Sequence, residues 1–249
     1  MRLLATLLCV FFADDPPIPP QERERLARDL DAAVARWTKA LEADPKDLQA
    51  HSRRGDARFF SGDFKGALAD YDRMIELEPG EAAQHWRRGI ACFYAGEYRK
   101  AAAQFEAYHT TDDVDRENGI WRYLSQAKAS GIEKAREGLL KYKKDDREPF
   151  PSVYRLFAGE TTPEKILEEI GSAKIEDEER EKRLFYAQLY IGLNYTVEGK
   201  AEKAESHLRR AVANPWGRGA GGGPGWMWQV GRVHYEALVR ARQKPAGEK

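Results

Sequence analysis

Five histidines are the side chains of this 249-residue sequence that first suggest a metal or acid–base site. His51 and His85 lie 34 residues apart, and neither has a second ligand at the short spacing that protein metal sites use. The other three are isolated in the sequence: His109, His207 and His234. We therefore interpret His51 and His85 as packing residues and predict no metal site.

A glycine-rich stretch, residues 217–225, invites a phosphate-binding interpretation because it holds six glycines in nine residues. It lacks the Gly-Lys-Ser/Thr ending of a phosphate loop, and no strand is predicted before it. We predict instead a flexible loop that connects helices or contacts a partner. The tryptophans around it can either pin it to the body of the protein or form an adhesive patch: Trp216, Trp226 and Trp228.

No spacing of serine, cysteine, histidine and carboxylate residues suggests a nucleophilic site. The sequence therefore predicts a non-enzymatic protein with no cofactor and no small-molecule substrate. Basic and acidic residues balance at 41 each, which argues against a dedicated nucleic-acid binder. Cys92 falls on the packed face of a predicted helix and is expected to be inert.

The helices that position these residues repeat with a period of 34, since residues 48–81 align with residues 82–115 without a gap. Small residues in each unit let paired helices approach closely, and large aromatic residues fill the space between hairpins. Pro79 ends the first unit because proline cannot continue a helix. The matched pairs, which together form the tetratricopeptide pattern, are Gly55 with Gly89, Gly62 with Gly96, Ala67 with Ala101 and Tyr71 with Phe105.

The sequence thus predicts an all-α protein, a right-handed superhelical array of tetratricopeptide hairpins with a concave groove. The first helix of each hairpin lines this groove, where mixed aromatic and arginine side chains suit an extended peptide or a partner helix. Some of these side chains can instead serve only to hold the hairpins together. The predicted partner-binding residues are Arg53, Asp56, Phe60, Trp86, Arg87, Ile90 and Tyr94. The clamp that holds chaperone tails needs Lys and Asn where Ser52 and Asp56 stand, so that ligand is not expected.

Partial and complete repeats surround the two full ones. Tyr123 stands where the pattern has glycine, so the hairpin that contains it is expected to pack more loosely or tilt. The predicted units are a leading helix with half a repeat (21–47), full repeats (48–81 and 82–115), a degenerate hairpin (116–149), short helices (150–184), a last full repeat (185–218), and the glycine-rich loop with a closing helix and tail (219–249).

Residues 1–13 are apolar apart from Arg2, and a proline-rich spacer follows at 14–20. The apolar run is too short to span a bilayer and has the form of a secretory signal peptide. We predict export to the periplasm or cell envelope. The alternatives are a lipid anchor on Cys9, where Leu8 replaces the small residue that a lipoprotein needs, and a trimmed or mis-started N-terminus.

Four stretches of the sequence indicate a particular group of tetratricopeptide proteins. They are residues 88–96 (RGIACFYAG), 120–124 (IWRYL), 154–159 (YRLFAG) and 208–214 (LRRAVAN). Through them the chain resembles the NlpI-type tetratricopeptide lipoproteins of bacterial envelopes along most of residues 48–238. The resemblance implies an all-α, non-enzymatic adaptor, often a homodimer, that brings cell-wall hydrolases to an envelope protease or to each other. The competing hypothesis is a soluble chaperone-like or assembly factor that binds peptides without a cell-wall role. An enzyme is a more distant third.

Overall fold

A computed structural model describes residues 16–144 and 146–243, so the predicted signal segment and the end of the tail lie outside the described residues. The described chain is helical and contains no strand, which confirms the predicted all-α tetratricopeptide array. Its helices are α1 (Pro20–Ala43), α2 (Leu48–Phe60), α3 (Phe64–Leu77), a 3₁₀ turn (Pro79–Glu81), α4 (Trp86–Tyr94), α5 (Tyr98–His109), α6 (Arg116–Ser130), α7 (Ile132–Glu137), α8 (Phe150–Ala158), α9 (Pro163–Ser172), α10 (Asp177–Val197), α11 (Ala201–Ala213), α12 (Pro215–Gly219) and α13 (Gly222–Gln243).

The two full repeats form the hairpins α2–α3 and α4–α5, and their glycines allow the close helix contact that the sequence predicts. A Cβ atom on Gly55 would lie 2.6 Å from Cε1 of Tyr71, and one on Gly89 would lie 2.6 Å from Cζ of Phe105. Both aromatic rings are fully buried. The register read from the 34-residue period is therefore correct in both hairpins.

The last full repeat, α10–α11, uses the same contact. A Cβ atom on Gly192 would lie 2.7 Å from Cγ of Leu208, and Ala204 and Ala211 are fully buried. The tetratricopeptide packing of the first two hairpins is thus repeated at the other end of the array.

The degenerate hairpin α6–α7 departs from the repeat at Tyr123. This ring is buried and packs edge-on against Phe157 of α8, with centroids 5.1 Å apart. The larger side chain brings α8 against α6, and α7 is reduced to six residues. The non-repeating segment 150–184 is therefore part of the core and supplies the fully buried Phe150, Val153 and Ile166.

The predicted loop over residues 217–225 is wrong, because most of this stretch is helical. It contributes the end of α12 and the first turn of α13, and only Ala220 and Gly221 lie between the two helices. A Cβ atom on Gly217 would overlap the ring of Phe185, and one on Gly225 would overlap the carbonyl oxygen of Ala220. Two of the six glycines, Gly217 and Gly225, therefore serve close packing.

None of the helices within residues 16–144 and 146–243 is both long enough and apolar enough to cross a membrane.

Candidate functional site

Helices α2 and α4 carry the predicted groove residues, and the start of α13 packs against both of them. Asp56 on α2 shows how tightly the three helices are joined. Its carboxylate accepts hydrogen bonds from the Tyr71 hydroxyl at 2.6 Å, from Nη1 of Arg87 at 2.8 and 2.9 Å, and from Nε1 of Trp226 at 3.0 Å. Asp56, predicted from the sequence to bind a partner protein, is therefore held by Arg87 and Trp226 of its own chain.

Trp226, at the start of α13, occupies the middle of the predicted groove. Its ring stacks on Phe59 with centroids 4.7 Å apart and meets Trp86 edge-on at 5.0 Å and Phe60 at 5.6 Å. Only 6% of Trp226 is exposed. Nearby, Trp228 donates its indole N–H to the carbonyl of Val212 at 3.0 Å. Of the two roles considered for these tryptophans, the structure shows pinning to the body of the protein.

Two cavities remain on either side of the start of α13. We call the first the arginine cavity, since three arginines line it around a volume of about 550 Å³. Its lining combines predicted groove residues with the glycine-rich segment: Arg53, Asp56, Phe60, Trp86, Arg87, Arg218, Ala220, Gly221, Gly222, Gly223, Gly225, Trp226, Trp228 and Gln229. Five of the seven predicted partner-binding residues are brought together here.

The arginines of this cavity differ in how they are held. Arg87 is paired with Asp56 at 2.8 Å, and Arg218 is paired with Glu22 at the start of α1. Arg53 is exposed on α2. With a single acidic residue in the lining, and that residue already paired, the cavity presents a basic excess to whatever enters it.

We call the second the carboxylate cavity, which has a volume of about 340 Å³ and lies between α4, α5, α6 and α10. Aromatic rings and acidic side chains share its lining: Trp86, Ile90, Phe105, Tyr108, Asp115, Glu117, Asn118, Trp121, Arg147, Tyr186, Gly223, Pro224 and Met227. Of these residues, Trp86 and Ile90 are the two that the sequence predicts as partner-binding. Phe105, Tyr108 and Asp115 belong to the second full repeat but not to the predicted groove wall, and the remaining residues come from the segments that follow that repeat.

Glu117 is the most perturbed acid of the carboxylate cavity. It accepts hydrogen bonds from Nη2 of Arg147 at 2.6 Å and from the hydroxyl of Tyr190. Burial and the neighbouring Asp115 carboxylate raise the pKa of Glu117, Arg147 partly opposes them, and the net result is a pKa of about 7. Near neutral pH, both the protonated and the ionised form of this side chain are therefore populated.

The remaining predicted groove residues are less accessible. Ile90 is 1% exposed and lines the carboxylate cavity. Tyr94 bonds through its hydroxyl to Nδ1 of His234 at 2.8 Å, and its ring packs on Phe59 and Phe64. The structure therefore places Tyr94 beneath α13, outside both cavities.

The histidines have hydrogen-bonding and packing partners within the chain. His51 contacts Asp70 at 3.2 Å and the carbonyl of Pro45 at 3.0 Å, and His85 caps α4 by accepting from the backbone N–H of Arg88. Within residues 16–144 and 146–243, no group of three or more His, Cys, Asp or Glu side chains has the arrangement to hold a metal ion. Cys92 is fully buried, and burial raises the pKa of its thiol to about 11.

Comparison with known proteins adds one finding. The family model of the tetratricopeptide repeat matches residues 27–82 and residues 53–115. A comparison with curated proteins gives no match for this chain. The matched residues cover α1 from residue 27 onward and the hairpins α2–α3 and α4–α5. Residues 27–115 are therefore tetratricopeptide repeats.

Proposed function

We propose that this protein is a non-enzymatic scaffold that binds a segment of a partner protein in the arginine cavity. Tetratricopeptide repeats are protein-interaction modules, and this is the coarse function that residues 27–115 share. The observation that supports the choice of site is the gathering of Arg53, Phe60, Trp86 and Arg87 around one open volume of about 550 Å³. Pockets of this size hold a few residues of an extended peptide.

The chemistry of the arginine cavity indicates the kind of segment it accepts. Its basic excess favours a segment that carries carboxylates, because guanidinium groups bind carboxylates through paired hydrogen bonds. The rings of Phe60 and Trp86 add apolar surface for a neighbouring side chain. We therefore propose an acidic segment with at least one apolar residue as the ligand.

The cellular setting is a further proposal. The apolar run of residues 1–13 supports export, and the resemblance to NlpI-type proteins supports an adaptor of the bacterial cell envelope that links cell-wall hydrolases to a protease. The same resemblance supports a homodimer. Mass measurement of the protein from its native host tests export, since we expect a mature chain that begins near residue 14. An intact Met1 would favour the soluble assembly factor instead.

The binding proposal is tested by crosslinking in the native envelope with the full chain and an Arg53→Glu variant. Arg53 is exposed, so the variant should fold as the parent does, and reversing the charge should weaken capture of the partner. Truncating a central arginine in an interface costs about 2 kcal/mol or more, which is roughly thirtyfold in affinity. Arg99→Glu is the matched control, because Arg99 is exposed on α5 and lines neither cavity. Equal capture by both variants would exclude the arginine cavity as the binding site.

A further inference from the structure

The carboxylate cavity has an aromatic lining that a purely structural void would not require. Trp86, Tyr108, Trp121 and Tyr186 surround it from four different helices, together with Phe105. Trp86 and Tyr108 are only half-buried, so the cavity communicates with the concave side. Its volume of about 340 Å³ lies within the range of pockets that hold a ligand group.

The charges of the cavity are unbalanced. Arg147 lies 2.6 Å from Glu117, 3.3 Å from Asp146 and 3.5 Å from Asp115, so three carboxylates share one guanidinium group. Among the described residues that line the cavity, Arg147 is the one cationic side chain. Its guanidinium lies over Phe150 at 4.3 Å, and its side chain is 41% exposed. The lining therefore carries one more carboxyl group than cations, and a second cation bound beside Glu117 would favour its ionised form.

Aromatic faces and carboxylates together favour one class of ligand. The face of an aromatic ring attracts an organic cation, and the attraction is larger where water is excluded. A nearby carboxylate also stabilises the charged form of an amine. An anionic ligand would meet the acidic excess, and a neutral one would leave it uncompensated. The lining thus selects a protonated amine or guanidinium group.

Two buried donors of the lining point to a ligand that also carries an oxygen acceptor. Nδ2 of Asn118 and Nε1 of Trp121 make no hydrogen bond of normal geometry among the described residues, although the two side chains are 4% and 1% exposed and the hydroxyls of Tyr108 and Tyr190 lie near them. Buried donors of this kind usually find a partner in proteins. A peptide carbonyl that enters beside a cationic group can supply one.

We propose that the carboxylate cavity binds a lysine side chain of the partner segment, with its ammonium group between the Asp115 and Glu117 carboxylates and the surrounding aromatic rings. The inference rests on the proposed function, since it adds a second contact for the same segment. Trp86 and Gly223 line both cavities, so the two cavities adjoin and one segment can reach both. The two cavities then select a segment with an acidic and a basic residue in a fixed order.

The test uses a short blocked peptide, acetyl-Gly-Lys-Gly-amide, titrated into the ¹⁵N-labelled full chain. The readout is the indole N–H signals of Trp86 and Trp121, with the signal of Trp37 on α1 as the reference. We expect the lysine peptide to shift the first two signals in a saturable way. The same peptide with acetylated lysine should bind at least on the order of tenfold more weakly, because it has the same length but no charge.

Two variants assign the effect to the cavity. Asp115→Asn removes one charge and retains the helix cap, since Asp115 accepts from the backbone N–H of Glu117 and asparagine caps equally well. Glu117→Gln removes the second charge. Both should weaken binding of the lysine peptide, on the order of tenfold each. Glu168→Gln, on an exposed position of α9, is the matched control and should bind as the parent does.

The outcomes separate this inference from the proposed function. Equal binding of the lysine and acetyl-lysine peptides, or unchanged binding by both carboxylate variants, would overturn the inference while leaving the Arg53→Glu result intact. Tighter binding of butylammonium than of the peptide would assign the cavity to a free amine and overturn the partner lysine. Saturable binding that depends on Asp115, Glu117 and the lysine charge supports the inference even where Arg53→Glu has no effect on capture.

Discussion

The indole N–H of Trp226 donates a hydrogen bond to Oδ1 of Asp56 over 3.0 Å, although 170 residues separate them along the chain. The same carboxylate accepts from Tyr71 in the first hairpin and from Arg87 in the second. One half-buried acid therefore joins two repeats to the closing helix. Because Trp226 fills the middle of the concave side, this contact also fixes the border between the two cavities.

Trp226→Ala should destabilise the protein strongly, because it removes a ring that is 6% exposed and in contact with Phe59, Phe60 and Trp86. Replacing a buried tryptophan by alanine costs about 3–5 kcal/mol. Urea denaturation followed by circular dichroism measures the loss. Trp37→Ala, on a half-buried position of α1, should lower the free energy of unfolding less. Equal losses would show that α13 contributes no more than an ordinary surface helix.

Gly89→Ala should destabilise the second hairpin, because the new Cβ atom would lie 2.6 Å from the buried ring of Phe105. Overpacking of this kind costs about 1–3 kcal/mol. Gly171→Ala is the matched control within a helix, since a Cβ atom there meets nothing within 4 Å. That variant should gain about 0.5–1 kcal/mol from higher helix propensity. Thermal or urea melts measure both variants. If Gly89→Ala and Gly171→Ala change the stability in the same direction, the repeat register is contradicted.

Gly225→Ala tests whether the glycine-rich segment is packed as the structure shows. Its Cβ atom would overlap the carbonyl oxygen of Ala220, whereas a Cβ atom on Gly223 meets nothing within 4 Å. We expect Gly225→Ala to lower the free energy of unfolding by about 1–3 kcal/mol. We expect Gly223→Ala to be neutral or slightly stabilising. If both changes are neutral in urea melts, the segment is a loop, as the sequence had suggested.

Glu117 should make the protein less stable as the pH rises from about 4.5 to about 7. Its pKa in the folded protein is about 7, above the usual 4.5, so the folded state holds the proton more tightly than the unfolded state does. The resulting stabilisation is complete below pH 4.5 and is lost as the pH rises through 7. The charged and titratable groups that face Glu117 are Asp115, Asp146, Arg147, Tyr186 and Tyr190.

The measurement is the free energy of unfolding of the parent and of Glu117→Gln at pH 5 and pH 8. The variant's stability relative to the parent should increase with pH by more than about 1.4 kcal/mol, the equivalent of one pKa unit. Burial lowers the pKa of His85, His207 and His234 to about 4, but these residues are present in both proteins and cancel in the difference. If the free energies of unfolding of parent and variant change equally with pH, the pKa of Glu117 is not raised in the folded protein.

The repeat register could be predicted from the sequence because it depends on residue size at fixed spacing. Gly55 opposite Tyr71 and Gly89 opposite Phe105 are local pairs within one hairpin, and the 34-residue period displays each twice. The prediction that α2 and α4 carry the groove residues came from the same alignment. Five of the seven residues predicted in this way line one cavity.

The position of α13 could not be predicted, because its contacts occur once and join distant parts of the chain. Asp56 was expected on an open wall, and nothing in the sequence pairs it with Trp226. The glycine-rich segment was predicted as a loop from low helix propensity, which is a weak guide where tertiary packing decides. Here the burial of Met227, Trp228 and Val230 just after it supports the helix. The carboxylate cavity likewise depends on residues outside the full repeats, such as Arg147 and Met227.

The contact between α13 and α2 changes how the array is expected to unfold. In an open solenoid each hairpin depends only on its immediate neighbours, so the ends fray first and the stack melts in a graded way. In this chain Arg232 donates to the carbonyl of Phe60 at 2.5 Å, and His234 bridges Tyr94 to Thr196. The C-terminal helix is thus a neighbour of the first repeat as well as the last. Loss of either end removes contacts from the other, which couples the terminal repeats and turns a one-dimensional stack into a single cooperative unit.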